Sequence, residues 1–467
     1  MLAPFFGTSL VTWTAVIATV LAGFSLGSAL GGLVAERDRR AAARSVRAAL
    51  VATALLMALS PMVLGLLYAS GARGTGGMLL TVVVAFFPAS VLVSLPSPLL
   101  ARMAVEARPG REGSSLGLVL AAGSLGAIFG AILAGFVALP LVGSAVTFAA
   151  CGAAALACVP FVRGGPPGGD GAGTAADLTA PRSSGLIGAA ALVVVAPLAT
   201  GPVCQYESGL SCIDIVDRGR SVHLYADRIP QAAEQKPPVD DAPVGNGRLV
   251  LSYTQWLWAR MDRDLGPAPS VLFIGGGGYS LPARLLETRP DAQAVAVEID
   301  PLVTAVVRRH LPWAGAMIEA AGGGPQDTAA DRLRIVHADG RVYINETARR
   351  FDAAVMDAFS SGSVPAHLAT VETYERLRAI VDGPVYVNLI DAPDGPLARG
   401  VQAILSGLYP HVAAVQGPLN PRGTTNILLV ASDNPLADPG ASPPGYTPLD
   451  IAPGRAFTDD RGWIGQR

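Results

Sequence analysis

The chain has 467 residues, of which 51% are hydrophobic and only 15% are charged, and its formal net charge at pH 7 is −2. That composition is too apolar for an ordinary soluble protein, although the length alone would suit two or three soluble domains. The near-neutral charge and the lack of a basic stripe in the sequence argue against a nucleic-acid partner.

The apolar excess lies almost wholly before residue 202, in runs that are long enough to cross a bilayer as helices of about 20 residues. We place six such spans near residues 8–34, 47–69, 77–100, 115–139, 143–162 and 185–201. Gly23, Gly27 and Gly31 recur at four-residue spacing in the first span, which favours close helix packing. Ionisable residues are essentially absent from the spans, so a membrane anchor is favoured over a transporter.

The arginines predict the orientation of these spans. They cluster after the first and third spans and between the fifth and sixth, whereas the opposite loops hold little beyond Arg73. Arginine-rich loops are usually cytoplasmic, so the chain after the sixth span is expected on the extracytoplasmic side of the cell membrane. Cys204 and Cys212 flank the start of this soluble half, and outside the cell they are candidates for a disulfide. The alternative is two unrelated thiols.

The soluble half begins with alternating apolar and polar residues. The stretch "CIDIVDRGRSVHLYAD" (212–227) predicts a β-hairpin with its turn at Asp217–Gly219, and residues 248–265 predict a helix. Strand and helix patterns then alternate, which is typical of a doubly wound sheet. The strands are predicted near residues 271–274, 294–298, 333–336, 353–357, 385–389 and 426–431.

These patterns predict four regions. They are a transmembrane helical domain (1–202, with a Gly/Pro-rich linker at 163–185), a β-hairpin subdomain (203–262), a nucleoside-binding domain (263–432) and a Pro/Gly-rich C-terminal tail (433–467).

Chemistry-bearing residues follow four consecutive strands, at the edge where ligands of such sheets bind. Gly275, Gly276 and Gly277 follow the first strand, where bare backbone can approach a nucleotide closely. Glu298 ends the second strand, as an acid that binds ribose hydroxyls does. Asp339 follows the third strand and Asp357 ends the fourth. Together they predict a nucleoside-type ligand; the alternative is a structural sheet that uses these residues as turns and caps.

The residues from Val271 to Pro301, "VLFIGGGGYS" through "AVAVEIDP", resemble the cofactor loop and second strand of the spermidine synthases, the polyamine aminopropyltransferases. The apolar half, with "LAAGSLGAIFGAILAGF", is similar to fused membrane and spermidine-synthase proteins of bacteria. The resemblance implies a multi-pass α-helical membrane bundle joined to an α/β Rossmann-like class I methyltransferase fold with a small N-terminal β-hairpin subdomain. A further helix often precedes "LAPFFG" in that family, so the chain is expected to begin short of the family's full start.

The resemblance also assigns roles to residues of the nucleoside half. It implies that Glu298 binds the ribose and that Asp339 with Gly340 lies on the adenine side. Tyr253, in "SYTQW", matches a tyrosine of the family's amine site, and Asp357 matches the acid that takes the proton of the attacking amine. Soluble members of the family commonly dimerise, so a homodimer is expected.

The amine half departs from the family. The family has an acid in its glycine loop where this chain has Gly278, followed by Tyr279. A second family acid is Ser360 here, and the glutamate after the site tyrosine is Gln255. A diamine site needs carboxylates because each ammonium loses water on binding. The missing acids argue against putrescine and predict an atypical amine site with Gln255, Tyr279 and Ser360 as substrate contacts. Gly278 is expected to bind the cofactor with the rest of the glycine loop.

The resemblance therefore predicts a transferase whose co-substrate is decarboxylated S-adenosylmethionine or S-adenosylmethionine and whose acceptor is a small amine. Asp357 would act as base and Tyr253 would position the acceptor. With no acid at Gly278, the carboxylate of S-adenosylmethionine would meet less repulsion, so a methyltransferase is an alternative. A second alternative is a non-catalytic nucleoside- or polyamine-binding membrane module. Both donors are made in the cytoplasm, which conflicts with an external domain.

Histidines and cysteines give little evidence of further chemistry. His367 lies just past Asp357 and is expected either to line the pocket or to be an ordinary surface histidine. No Cys/His cluster has the spacing of a metal site, so no metal is expected.

Overall fold

The computed structural model describes residues 2–6, 10–162, 188–195, 204–236, 248–322, 332–358, 365–436 and 445–460. The chain divides into two compact units, Met1–Leu210 and Ser211–Arg467. The division falls a few residues beyond the expected domain end at 202, and the predicted linker at 163–185 lies outside the described residues.

The first unit is helical. Its elements are α1 (Ala3–Phe6), α2 (Leu10–Ala35), α3 (Arg39–Ala69), α4 (Gly74–Ser94), α5 (Pro96–Glu106), α6 (Glu112–Ile132), a π-helical continuation (Leu133–Ala138), α7 (Leu139–Cys158), a 3₁₀ turn (Val159–Phe161), α8 (188–195) and the short strand β1 (Tyr206–Glu207).

Five helical stretches in the described part of this unit are long and apolar enough to cross a membrane. They are Val11–Ala35, Arg39–Ala69, Gly74–Glu106, Glu112–Ala138 and Leu141–Phe161. These stretches coincide with the first five predicted spans and are compatible with a membrane protein. The sixth predicted span, 185–201, contains the short helix α8, and its remaining residues lie outside the described ranges.

Glycines set the distance between α2 and α4. A Cβ placed on Gly27 would overlap Ser94 and the backbone of Val91, so only hydrogen fits between the two helices. In α6, by contrast, a Cβ on Gly126 or Gly130 would meet nothing within 4 Å. The small residues of the first span therefore serve helix packing in this unit, as their spacing predicts.

The second unit begins with three antiparallel strands. They are β2 (Cys212–Asp217), β3 (Ser221–Ala226) and β4 (Ile229–Gln235). The first two form the predicted hairpin, and Gly219 N donates to Asp217 Oδ1 at 2.9 Å inside its turn. The third strand, β4, was not predicted.

The rest of the unit is a sheet with helices on its faces. Its helices are α9 (Ser252–Asp264), α10 (Ser280–Thr288), α11 (Pro301–His310), α12 (Pro312–Gly322), α13 (Gly340–Glu346), a 3₁₀ turn (Ala366–Leu368), α14 (Val371–Ile380) and α15 (Pro396–Leu408). Its strands are β5 (Ser270–Ile274), β6 (Gln293–Glu298), β7 (Leu333–His337), β8 (Ala353–Met356), β9 (Val385–Asp391), β10 (His411–Gln416), β11 (Thr425–Ser432) and β12 (Thr447–Pro448).

The strand order in this sheet is β12-β10-β11-β9-β8-β5-β6-β7. The five strands from β9 to β7 are parallel, whereas β11, β10 and β12 are antiparallel additions. All six predicted strands are present, and the fold is Rossmann-like with a mixed sheet. The apolar strands are buried on both faces, as parallel sheets covered by helices are. Leu272, Met356 and Val387 are each 0% exposed in this core.

Part of the expected C-terminal tail packs against the sheet domain. Strand β12 pairs with β10, and the ring of Phe457 lies so close to Gly400 of α15 that a Cβ there would overlap it. Phe457 belongs to the hydrophobic core and is only 6% exposed.

Glu234 of β4 joins the hairpin subdomain to the sheet domain. Its carboxylate accepts hydrogen bonds from Trp313 N at 2.7 Å and Ala314 N at 3.1 Å, at the start of α12. Those N–H groups have no partner inside the helix, so the acid acts as its cap. This contact places β4 beside the glycine loop.

Candidate functional site

The glycine loop lies at the carboxyl end of β5, next to Asp357. Gly275 has a φ of 98°, and a Cβ at this position would lie 2.5 Å from the carbonyl oxygen of Asp357. Only glycine meets both conditions without strain. The local sequence thus brings bare backbone against the end of β8, next to Asp357.

Glu298 lies directly behind this loop. Its Oε2 accepts from the backbone N–H groups of Gly276 and Gly277, each at 3.0 Å, and its Oε1 accepts from Asp300 N at 2.9 Å. Burial raises the pKa of this carboxyl, and the backbone donors oppose that rise.

Tyr279 directly follows the glycine loop, and its ring lies against Gly276. It adopts a left-handed conformation with φ 55° and is 1% exposed. Its hydroxyl lies 2.6 Å from Thr304 Oγ1 on α11, and Thr304 in turn lies 2.9 Å from His337 Nε2. Burial raises the pKa of Tyr279 far above its ordinary value. The ring therefore packs against Gly276, and its hydroxyl is hydrogen-bonded to α11. Tyr279 also lines the cavity beside Asp357, and its contact with substrate stays a prediction.

Gly278 is packed against the hairpin subdomain. A Cβ on Gly278 would overlap the Cβ of Ala232 on β4, a residue that is 2% exposed. The absence of an acid at this position is therefore enforced by a packing contact. Sequence reasoning misses this contact because β4 itself was not predicted.

Asp357 stands at the centre of a hydrogen-bonded group. Its Oδ2 accepts from the Tyr253 hydroxyl at 3.1 Å, and its Oδ1 accepts from Asn388 Nδ2 at 2.7 Å. Asn388 Oδ1 accepts from Asn426 Nδ2 at 2.9 Å. Burial raises the pKa of Asp357 from 3.8 to about 6, opposed by the bonds from Asn388 and Tyr253. Burial also raises the pKa of Tyr253.

The structure thus brings the predicted pair Tyr253 and Asp357 into contact and adds two amides that the sequence did not single out. The one available signal for Asn388 is an amide inside the apolar run "VYVNLID". A carboxylate that is ionised near neutral pH and held by fixed donors is suited to accept a proton.

Asp339 caps the next helix. Its Oδ1 accepts from Arg341 N at 2.8 Å and Val342 N at 3.2 Å, while its Oδ2 lies 2.9 Å from His367 Nε2. A Cβ on Gly340 would lie 2.6 Å from Ile274 Cγ2, so the glycine allows this turn to sit against β5. His367 therefore contacts Asp339, and an adenine amino group would compete with it for Oδ2.

Two further predicted substrate residues are Gln255 and Ser360. Gln255 donates from Nε2 to Leu249 O at 2.9 Å, within its own segment. Ser360 lies outside the described residues. Cys204 and Cys212 are both disulfide-bonded, whereas Cys151 and Cys158 carry free thiols. Within the ranges that the structure covers, no three His, Cys, Asp or Glu side chains are grouped as a metal site would require.

A small cavity joins the loop to Asp357. Its volume is about 30 Å³, which is enough to hold water. The lining side chains include Gln231, Leu251, Tyr253, Phe273, Tyr279 and Asp357, together with the backbone of Gly275 to Gly278.

Known proteins resemble parts of this chain, although no family model matches it. It is 30% identical over 181 residues to the polyamine aminopropyltransferase of Chromobacterium violaceum, covering 38% of this chain and 60% of that protein. It is 31% identical over 146 residues to the polyamine aminopropyltransferase of Vibrio vulnificus, covering 30% and 42% respectively. The match to the enzyme of that name in Korarchaeum cryptofilum covers 34% of its length, so the chain spans roughly a third to three fifths of these relatives.

Among solved structures, a probable spermidine synthase from Corynebacterium glutamicum overlaps 57% of this chain and 100% of its own, with 18% identity and a TM-score of 0.45. The curated relatives confirm the resemblance that the glycine loop and the following strand predict: over the part of the chain that they cover, it is similar to polyamine aminopropyltransferases.

Proposed function

We propose that the chain is a membrane-bound transferase that moves an aminopropyl group from decarboxylated S-adenosylmethionine to a small amine. The observation that carries this proposal is the hydrogen-bonded pair of Tyr253 and Asp357 at a glycine loop. The curated relatives named polyamine aminopropyltransferase support the same reaction class. The expected homodimer and the extracytoplasmic side stay predictions.

The donor side of the site is proposed to hold adenosine. Glu298 would accept a hydrogen bond from a ribose hydroxyl, and the loop offers close backbone approach. Asp339 Oδ2 would accept from the adenine amino group if His367 gave way. When bound, the sulfonium donor supplies an electrophilic carbon next to its sulfur.

Asp357 would accept the proton that the acceptor amine loses. With a pKa of about 6 the carboxylate is mainly ionised at pH 7 and can take one proton from the amine nitrogen. The nitrogen lone pair then forms the new N–C bond while the C–S bond breaks, and the sulfur leaves as a neutral thioether. Tyr253, by donating to Asp357, would orient the base toward the acceptor.

The cavity favours an acceptor with one charged nitrogen. Of the described residues that line it, Asp357 is the sole carboxylate. Because a buried ammonium needs a charged partner, one carboxylate suits a monoamine better than a diamine. Putrescine is therefore not the proposed acceptor.

A methyltransferase is the second candidate, and Gly278 favours it. Since Ala232 occupies the space next to Gly278, the loop cannot carry an acid that would select the amino end of the decarboxylated donor. The carboxylate of S-adenosylmethionine would meet no like charge from this residue.

Calorimetric titration of the full-length protein in lipid nanodiscs tests these proposals. The ligands are S-adenosylmethionine, its decarboxylated form and methylthioadenosine. Tighter binding of the decarboxylated form supports aminopropyl transfer, and preference for S-adenosylmethionine supports methyl transfer. Failure of all three to bind to folded protein would contradict both.

A further inference from the structure

A line of hydrogen bonds runs across three neighbouring strands of the sheet and ends on Asp357. Asn426 on β11 donates to Asn388 on β9, and Asn388 donates to Asp357 just beyond β8. The distances are 2.9 Å and 2.7 Å. None of the roles assigned above to Tyr253 or the glycine loop requires these two amides.

The sheet register makes this arrangement specific. Met356 of β8 is paired with Val387 of β9, so Asp357 and Asn388 come next to each other at adjoining strand positions. Asn388 is 3% exposed and lies between the buried residues Val387 and Leu389. An amide in such a place is costly unless its donors and acceptor are bonded.

Asn426 and Asp357 together constrain which end of the Asn388 amide faces the carboxylate. Asn426 Nδ2 occupies the Oδ1 side of Asn388, which leaves the NH₂ group for the carboxylate. With the amide turned over, Oδ1 of Asn388 would face a carboxylate oxygen, and two acceptors would repel each other. Asp357 is thereby held by one donor on each oxygen, Asn388 on Oδ1 and Tyr253 on Oδ2.

We propose that Asn388, oriented by Asn426, is a positioning residue for Asp357 that fixes its carboxylate and stabilises the ionised form. The inference rests on the proposed function, in which Asp357 accepts the proton of the acceptor. Hydrogen bonds to a charged group are among the stronger ones in proteins, so the Asn388 amide favours the carboxylate over the neutral acid.

Other titratable groups near Asp357 do not change this role at neutral pH. Tyr253 on α9 donates a hydrogen bond to the carboxylate. Tyr446, which precedes β12, interacts electrostatically with Tyr253 and raises its pKa. Burial raises the pKa of Tyr446 to about 12 and raises that of Tyr253, so both tyrosines stay protonated.

Infrared titration of full-length protein in nanodiscs tests the proposal without donor or acceptor. The signal is the C=O stretch of the protonated Asp357 carboxyl, isolated by subtracting the spectrum of Asp357→Asn. We expect Asn388→Leu to move the titration midpoint upward by about 1–2 pH units. This shift corresponds to the loss of one hydrogen bond to a charged group. Asn426→Ala, which leaves Asn388 and Asp357 in place, should move it upward by less.

Ser432→Ala is the matched control, because Ser432 is a buried polar residue at the far end of β11, where it accepts from Asn434 N. It should lower stability without moving the midpoint. If Asn388→Leu fails to fold, Asn426→Ala carries the test alone. Midpoints that stay unchanged in the folded variants overturn the proposal. A shifted midpoint in a protein that binds no nucleoside supports the positioning role and refutes the proposed function instead.

Discussion

An acid restored at Gly278 should destabilise the second unit because of one packing contact. In Gly278→Asp the new Cβ would overlap the Cβ of Ala232, and both residues are buried. Overpacking of this kind costs about 1–3 kcal/mol, and burial of the carboxylate adds to it. For a unit of this size the cost corresponds to a fall in Tm of about 2–12 °C.

A double-mutant cycle isolates that contact. Ala232→Gly removes the overlapping methyl group, so the pair Gly278→Asp with Ala232→Gly should recover part of the loss. Gly277→Asp is the control: it introduces the same side chain at a positive φ of 50°, where a Cβ meets nothing within 4 Å. Ala232→Gly should not rescue it.

The assay is urea unfolding of the full-length protein in nanodiscs, followed by tryptophan fluorescence. Trp313 is suitable because its backbone is capped from β4 by Glu234. If Gly278→Asp is as stable as the wild type, or if Ala232→Gly rescues both aspartates equally, the packing argument is wrong. Gly278→Asp should not bind the decarboxylated donor tightly, either alone or together with Ala232→Gly.

Three further predictions concern the base, the loop and the cysteines. The pKa of Asp357 is raised from 3.8 to about 6 on folding, so its protonated form stabilises the fold below pH 3.8 and that stabilisation is lost as the pH rises to 6. Because Asp357 keeps part of its surface open, the loss is at most about 3 kcal/mol. The unfolding free energy of Asp357→Asn minus that of wild type should therefore grow between pH 4 and pH 7; a constant difference in urea titrations would contradict the shift. Gly275→Ala combines a φ of 98° with a Cβ 2.5 Å from Asp357 O, and a strained left-handed residue costs about 1–3 kcal/mol. It should lower both Tm and nucleoside affinity, and unchanged values for both would refute the loop geometry. Finally, in a variant with Cys151 and Cys158 replaced by alanine, a membrane-impermeant thiol reagent should label Cys204 and Cys212 of intact cells only after reduction. Labelling confined to lysed cells would place the second unit on the cytoplasmic side.

Local sequence patterns were enough to predict most of the sheet. Strands such as β5 and β8 are short apolar runs followed by glycine or aspartate. Because they are buried on both faces, they are continuously apolar and do not alternate between apolar and polar residues. The hairpin of β2 and β3 was recognisable by alternation around a glycine turn. Strands β4 and β10 were missed, because "IPQAAEQ" contains a proline and polar residues and "HVAAVQ" is only partly buried.

Contacts between distant segments could not be predicted. Gly278 meets Ala232 of β4, and Glu234 of the same strand is hydrogen-bonded to Trp313 N of α12, 79 residues further along the chain. Asn388 and Asn426 are 38 residues apart, and their relation to Asp357 depends on the strand register. The hydrogen bond between Tyr279 and Thr304 was not predicted either, because it depends on how α11 packs against the glycine loop.

The identity of the released nucleoside tests whether this chain transfers an aminopropyl group. Full-length protein in nanodiscs would be incubated with each donor and a panel of small monoamines, and the products would be identified by mass spectrometry. We expect methylthioadenosine from the decarboxylated donor, formed by wild type and lost in Asp357→Asn. S-adenosylhomocysteine from S-adenosylmethionine would establish methyl transfer in its place, and the absence of both products from folded, nucleoside-binding protein would contradict the account.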